Sequence, residues 1–285
     1  MNDIRKVHTP SWQPSRIRQV VAAISYPVFY ALNRPSMTWF ADLAYDFALR
    51  CSGIAITFGG QHGLTSAEEK FLERNARLFQ SGHLFDVGAN NGAYSRFLRR
   101  IAPAAAITAF EPHPTTFATL CRNVSNSQNI TTENFAVSDT SGSLTLFDFR
   151  QSDGSTQASL SEDAVALYSS DLIEHSVRSM TIDEYMLVHG IENLALLKID
   201  TEGHDLAVLQ GAKRALAARK IAIIQFEFIP ANIATGVTMH RFFEALQGYK
   251  IGRLCMNGTV RPFTKYDVKR CEIFITHNLI AVPVT

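Results

Sequence analysis

The chain is short of the features that mark several functional classes. Its four cysteines, Cys51, Cys121, Cys255 and Cys271, are dispersed and form no C-x-x-C pair. They read as buried thiols in a reducing compartment. Net charge is only +1, so no global field favours nucleic acid. The longest apolar stretch, Val20 to Leu32, is too short for a bilayer span and contains Pro27. Pro10 and Pro14 interrupt the start, and no apolar core precedes a small-residue cleavage site, so no cleavable leader is expected. Also missing is G-x-G-x-x-G, the phosphate-binding fingerprint of dinucleotide sheets. What remains is a cytoplasmic globular chain of 285 residues, 46% hydrophobic, enough for one α/β domain plus an extension.

The most informative stretch is 82 to 95, Gly-His-Leu-Phe-Asp-Val-Gly-Ala-Asn-Asn-Gly-Ala-Tyr-Ser. Leu84, Phe85 and Val87 predict a buried strand that stops at Gly88, with a helix after Gly92. Glycines at such a turn let the backbone approach a ligand closely. The next apolar run ends in Glu111, where a carboxylate reaches ribose hydroxyls in doubly wound sheets. Asp86 stands just before the first glycine. An acid there repels a diphosphate and suits a cation. S-adenosylmethionine offers a sulfonium, an ammonium and a ribose without phosphate. The backbone of Gly88, Ala89, Asn90 and Gly92 is expected to hold its methionine part, and Asp86 to orient that loop or meet the ammonium through water. Ser138 and Asp139, at the end of a strand expected over 130 to 137, are expected at the adenine edge. His113 reads either as a polar turn residue or as a catalytic one.

Residues 1 to 62 form a distinct N-terminal helical extension, and 63 to 285 the main domain. In the extension Arg5, Lys6, Arg16, Arg18, Arg34 and Arg50 outnumber Asp3, Asp42 and Asp46, and aromatics from Trp12 to Phe47 are dense. Helices are expected near 15–32 and 36–51. Such an element can pack on the domain, form a homodimer or lie peripherally on a membrane. In the main domain Thr65 or Ser66 caps a helix. Leu144, Leu146 and Phe149 predict an extra strand. The polar stretch 151 to 176 reads as a functional loop or lid over the acceptor.

The second informative stretch is 194 to 212. Leu194, Leu196, Leu197 and Ile199 predict a central strand that ends in Asp200, Glu202, His204 and Asp205, where an open α/β sheet keeps its chemistry. A helix over 205 to 218 follows. Glu227 lies in the apolar strand expected over 221 to 228, and a carboxylate there is costly to bury unpaired. Asp200, Glu202, His204 and Glu227 are therefore the candidate catalytic groups, and Asp200 also borders the cofactor. His204 needs least tuning to act as a base near neutral pH. Alternatively Asp200, Glu202 and Glu227 gather a divalent cation, although no compact metal-ligand motif is present. Two strands, about 249–256 and 271–282, close the sheet with the last one reversed.

These residues together resemble the FkbM family of S-adenosylmethionine-dependent methyltransferases. The resemblance rests on Phe85-Asp86-Val87-Gly88-Ala89-Asn90 with Gly92 and Tyr94, on Phe110-Glu111-Pro112 with Pro114, and on Ala136-Val137-Ser138-Asp139. It rests further on Lys198-Ile199-Asp200, Glu202-Gly203-His204, Val208-Leu209, Gly211-Ala212 and the ending Asn278 to Pro283. It covers about 64 to 283. Residue 113 is His where the family more often has Asn, and residue 201 is Thr where Val is expected. The resemblance implies a class I methyltransferase (Rossmann-like) fold: a doubly wound, mostly parallel seven-stranded sheet with an antiparallel last strand. It implies O-methylation of a small hydroxyl acceptor, a carbohydrate, lipid-linked or polyketide-like product. Two other readings stay open: a nicotinamide-dependent oxidoreductase on a related sheet, and a non-catalytic cofactor-binding module.

Overall fold

The computed structural model describes residues 16–56 and 59–284. Expectations attached to 1–15, including Trp12, Arg5 and Lys6, lie outside the described residues, as do the side chains of Arg16 and Arg18. The chain divides into two compact units, Met1–Cys51 and Ser52–Thr285.

The first unit holds α1 (Arg16–Leu32) and α2 (Thr38–Cys51), joined through a 3₁₀ turn at Pro35–Met37. Tyr26, Phe29, Tyr30, Trp39, Tyr45 and Phe47 are all more than half exposed. Among the described residues no helix is long and apolar enough to cross a membrane.

The second unit opens with α3 (Ser66–Phe79), β1 (His83–Val87), α4 (Ala93–Ile101), β2 (Ala106–Phe110) and α5 (Pro114–Val124). Then come β3 (Ile130–Glu133), β4 (Ala136–Val137), β5 (Gly142–Phe149), α6 (Glu162–Ala166), β6 (Leu172–Met180) and α7 (Ile182–Val188). It continues with β7 (Leu194–Ile199), α8 (Asp205–Gln210), α9 (Lys213–Ala217), β8 (Ile224–Phe228), α10 (Ala231–Ala234) and α11 (Met239–Ala245). It closes with β9 (Tyr249–Leu254), β10 (Val260–Pro262), α12 (Val268–Cys271) and β11 (His277–Pro283).

The large sheet runs β10-β9-β11-β8-β7-β1-β2-β3. Strands β3, β2, β1, β7 and β8 are parallel. The last strand, β11, is inserted between β8 and β9 and is antiparallel to both. Seven strands thus form the expected core, and the short β10 adds an eighth at the edge of β9. Central strands read as continuous apolar runs because both faces are covered. Leu84, Ile107 and Leu196 pack with Phe71, Phe97 and Leu98 on one face. Phe85, Val87, Leu197 and Phe226 pack with Leu209 and Phe242 on the other.

Several boundaries differ from expectation. The second unit begins at Ser52, not 63, because Ile54 is fully buried and Arg253 Nη1 donates to the Ser52 carbonyl. The strand expected over 130–137 is two strands: the chain leaves the large sheet at Asn134, whose amide donates to the Glu111 and Pro112 carbonyls at 2.9 and 3.2 Å. β4 then joins β5 and β6 in a separate three-stranded sheet. β6 begins at Leu172, inside the stretch expected to be a loop: it pairs with β5 from Leu172 to Ser179, with Glu174 and Ser176 exposed and the half-buried His175 between them in place of an apolar residue. The helix over 205–218 breaks at Gly211, where a Cβ would stand 2.0 Å from the Ser138 carbonyl oxygen. β8 starts at Ile224, not 221. Of the cysteines expected to be buried, only Cys271 is; Cys51 is exposed.

The turn after β1 is the most constrained point. Gly88 has φ +74, and a Cβ there would lie 1.8 Å from the Asp200 carbonyl oxygen. Both the left-handed backbone and the contact exclude a side chain. Gly88→Ala should therefore lower unfolding free energy by more than about 3 kcal/mol in urea denaturation. A change below about 1 kcal/mol would mean that the loop relaxes freely.

Candidate active site

The carboxyl ends of β1, β2, β7 and β8 open onto a cavity of about 320 Å³. One wall is the β1–α4 turn. Gly88 and Ala89 donate their amides to the Phe110 carbonyl at 3.0 and 2.9 Å, which ties the turn to β2. Asn90 takes a left-handed φ of +48, and its amide donates to Glu111 Oε2 at 2.9 Å. The His113 amide donates to Glu111 Oε1 at 2.8 Å. Glu111 thus pins two turns and still faces the cavity. Burial pushes its carboxyl up to about 7, against the amides of His113 and Asn90, which hold it down.

The floor is set by a buried cation. Lys198 comes from the apolar strand β7. Its ammonium lies 3.2 Å from Asp86 Oδ1 and 3.4 Å from Asp200 Oδ2, and donates to the Gly88 carbonyl at 3.2 Å. Burial disfavours the ammonium, but Asp86, Asp200 and Glu68 outweigh it and raise its pKa. Asp86 is fully buried and accepts from Ser95 Oγ at 2.7 Å, so it braces the loop from behind rather than facing the cavity.

The opposite wall is acidic. Glu68, Asp200, Glu202 and Glu227 line the cavity with Glu111, and Lys198 is the one basic residue among the described lining residues. A hydrogen-bonded chain fixes part of this wall. Tyr94 Oη donates to Gln225 Oε1 at 2.7 Å, and Gln225 Nε2 donates to Glu68 Oε1 at 2.8 Å and Asn278 Oδ1 at 3.0 Å. Asn278 Nδ2 then donates to Glu227 Oε1 at 2.9 Å. Glu68 is also the far member of a capping box with Thr65, the residue that caps α3. Asp205 holds the β7 and β8 ends together, accepting from the Thr201 and Glu227 amides at 2.9 and 3.0 Å.

Crowding of like charges follows. Burial, then Asp200 and Asp205, push the Glu202 carboxyl up to about 8, with Lys198 pulling it down. Burial also lifts Glu227 well above the usual carboxylate range, helped by Asp200, Glu68, Asp205 and Glu202. Glu202 sits at a left-handed φ of +51, and its carbonyl accepts from Ser159 Oγ at 2.8 Å. Through that contact the 155–160 segment, which also lines the cavity, is fastened to the acidic wall.

Three of the candidate residues gather elsewhere. Ser138, Asp139 and His204 do not line the cavity. Ser138 Oγ lies 2.9 Å from His204 Nε2 and donates to Asp139 Oδ1 at 3.1 Å. Burial lowers the His204 pKa, and Asp139 offsets this only in part. Gly92 also stands outside the lining, as the left-handed residue before α4. Conversely, Lys198, Glu68 and Tyr94 line the cavity without having been assigned roles from sequence. A lysine inside an otherwise apolar strand was the available signal for the first.

Five parallel strands, one reversed strand inserted beside them and a glycine turn facing an acid at the next strand end define a class I methyltransferase fold. Residues 86–251 match the family described as Methyltransferase FkbM domain, and this chain belongs to that family. It is 29% identical over 161 residues to Methyltransferase sdnD of Sordaria araneosa, a match covering 48% of this chain and 62% of that protein. It is 24% identical over 157 residues to 2-O-methyltransferase NoeI of Sinorhizobium fredii, covering 50% of this chain and 62% of that protein. The matches thus span about three fifths of these curated relatives. A crystal structure of Methyltransferase FkbM from Methylobacillus flagellatus KT superposes with a TM-score of 0.44 at 16% identity, over 71% of this chain and 44% of that one.

Removing the buried cation tests the floor. Lys198→Met leaves the buried Asp86 without its cation, and should destabilise the chain by about 3–5 kcal/mol in urea unfolding. Adding Asp86→Asn should recover much of that loss. A single-variant loss under about 1 kcal/mol would show that the pair contributes little.

Proposed function

We propose that the cavity binds S-adenosylmethionine and that the chain transfers its methyl group to a hydroxyl oxygen of a small acceptor. The observation that carries this reading is the charge of the lining: Glu68, Glu111, Asp200, Glu202 and Glu227 against Lys198 alone. That set attracts a sulfonium and an ammonium and repels a diphosphate, which argues against a nicotinamide dinucleotide. The volume of about 320 Å³ lies in the range of small-molecule sites.

In this reading the Gly88–Asn90 backbone holds the amino-acid end and Glu111 accepts from the ribose hydroxyls. Asp200, partly neutralised by Lys198, faces the ammonium. When bound, the cofactor supplies an electrophilic methyl with a neutral leaving group. The protein's remaining tasks are to hold the acceptor oxygen in line and to take its proton. Glu202 and Glu227 suit the second task better than His204. Both face the cavity, whereas His204 is turned to Ser138. A carboxylate with a pKa near 8 is also a stronger base than an ordinary one. The relative named as a 2-O-methyltransferase supports an oxygen acceptor. Acceptor choice falls, in this proposal, to the 155–160 segment.

Two outcomes follow. With labelled S-adenosylmethionine and a panel of sugars and hydroxylated lipids, kcat/KM for the methyl donor should rise through about pH 8, since that ratio reports groups of the free protein. Glu202→Gln should lose the rise and about 10²-fold or more of the rate. A profile set instead by a group below the ordinary imidazole range and abolished by His204→Ala would return the base to His204.

The same carboxyls give a stability trend. Their folded pKa values, about 7 for Glu111, about 8 for Glu202 and about 6 for Asp205, lie above ordinary carboxyl values. These three groups hold more protons in the folded state than in the unfolded one between about pH 4.5 and 8 and make stability fall as pH rises; the buried His277, lowered to about 3, opposes them only below about pH 6.5. The unfolding midpoint of the ligand-free chain should be higher at pH 5.5 than at pH 8, and Glu202→Gln should shrink the difference. Equal midpoints would contradict the assigned burial of these groups.

A further inference from the structure

Beside the cavity, three side chains distant in sequence converge. His113 caps α5 after β2, Asp153 lies in the loop after β5, and His175 is on β6. His113 Nε2 is 2.9 Å from Asp153 Oδ1, and His175 Nε2 is 2.7 Å from the same oxygen. The two imidazoles meet edge to face with centroids 4.6 Å apart. One donor atom from each of the three residues lies within 4.8 Å of the others. Behind them stands Asp148, fully buried, with Oδ2 3.3 Å from His113 Nε2. The Gly154 and Ser155 amides donate to that oxygen at 2.7 and 3.0 Å, which fixes the Asp153 loop.

We propose that His113 Nε2, His175 Nε2 and the Asp153 carboxylate form a binding site for a divalent transition-metal ion of the zinc class. Two imidazole nitrogens and one carboxylate oxygen are donors that zinc accepts, while magnesium and calcium favour all-oxygen sets. Metal–ligand lengths near 2.0–2.1 Å in a tetrahedron spread neighbouring donors to about 3.3 Å. The contacts of 2.7 and 2.9 Å must therefore open by roughly half an ångström. The side chains allow this unequally: His113 is 1% exposed, but His175 is 19% and Asp153 36%, so the mobile partners face solvent and give the ion its way in. Asp148 Oδ2 adds a buried carboxylate oxygen on the same side of the ring as the His113 ligand atom. His113 Nδ1 accepts from the Thr116 amide at 3.4 Å, a long contact that is given up when the ring proton moves to Nδ1. A water completes the fourth position.

The position gives the ion a role. His113 is two residues from Glu111, and Ser155 and Thr156 line the cavity. An ion on this triad clamps the loop after β5 to the turn that carries Glu111. The proposal does not depend on methyl transfer, and its test reads metal binding alone.

The test is equilibrium dialysis of the metal-stripped full chain against zinc, with cobalt(II) as a spectroscopic substitute, for wild type, His175→Ala and Asp153→Asn. The expected result is one zinc per chain, with affinity reduced at least about 10-fold in each variant. Magnesium in excess should not compete. Circular dichroism checks the fold of the variants, and the wild-type cobalt spectrum gives a readout that needs no variant: ligand-field bands with nitrogen and oxygen donors. No stoichiometric zinc binding by wild type, a sulfur-to-cobalt band, or unchanged affinity in both folded variants would each overturn the proposal.

Discussion

The Lys198 ammonium is the contact on which the cavity depends. It leaves an apolar strand, meets Asp86 behind the glycine turn and Asp200 in front of it, and donates to the Gly88 carbonyl. One buried cation therefore fixes the relative position of the β1 and β7 ends. Removing one partner of such a pair is far more damaging than replacing both, because the survivor is left charged and dry. The pair also lets the remaining acids crowd the site. Without a positive charge in the floor, Glu68, Asp200, Glu202 and Glu227 would face one another across a low-dielectric space.

That crowding is the link between fold and chemistry. A strand-end acid in an open α/β sheet is ordinary; several around one cavity raise each other's proton affinity. In the empty cavity Glu111 and Glu202 therefore hold their protons to higher pH than ordinary carboxyls. A bound cation stabilises the ionised forms and drives protons off, so binding and ionisation are coupled. In the proposed reaction the same coupling readies a carboxylate to accept a proton from an acceptor hydroxyl. Backbone geometry supports it, since the left-handed Glu202 is held by Ser159 and the left-handed Asn90 by Glu111.

The central strands were legible in the sequence because burial on both faces leaves a continuous apolar run, and because Gly88, Glu111 and Asp200 interrupt those runs where the backbone must turn. β6 was read as loop up to residue 176 because Glu174, His175 and Ser176 stand together, and the inward position 175 holds a polar His where a half-exposed ribbon ordinarily has an apolar residue. The Asn134 switch was invisible because its reason is a tertiary bond to the Glu111 and Pro112 carbonyls. Of the acids that line the cavity, Glu111, Asp200, Glu202 and Glu227 stand in or beside the strands where the sequence placed them, while Glu68, on α3, carried no such signal. The direction of His204 was not, since its partner Ser138 lies 66 residues away. His113, Asp153 and His175 are likewise joined only by the fold.

An acidic, partly protonated cavity should receive a cation. Calorimetric titration of S-adenosylmethionine and S-adenosylhomocysteine near pH 7, in two buffers of different ionisation enthalpy, tests it most directly. The account predicts that both bind, that the sulfonium compound releases more protons than the neutral thioether, and that NADH gives no binding heat. Equal proton release by the two adenosyl compounds, or tight binding of NADH, would contradict it.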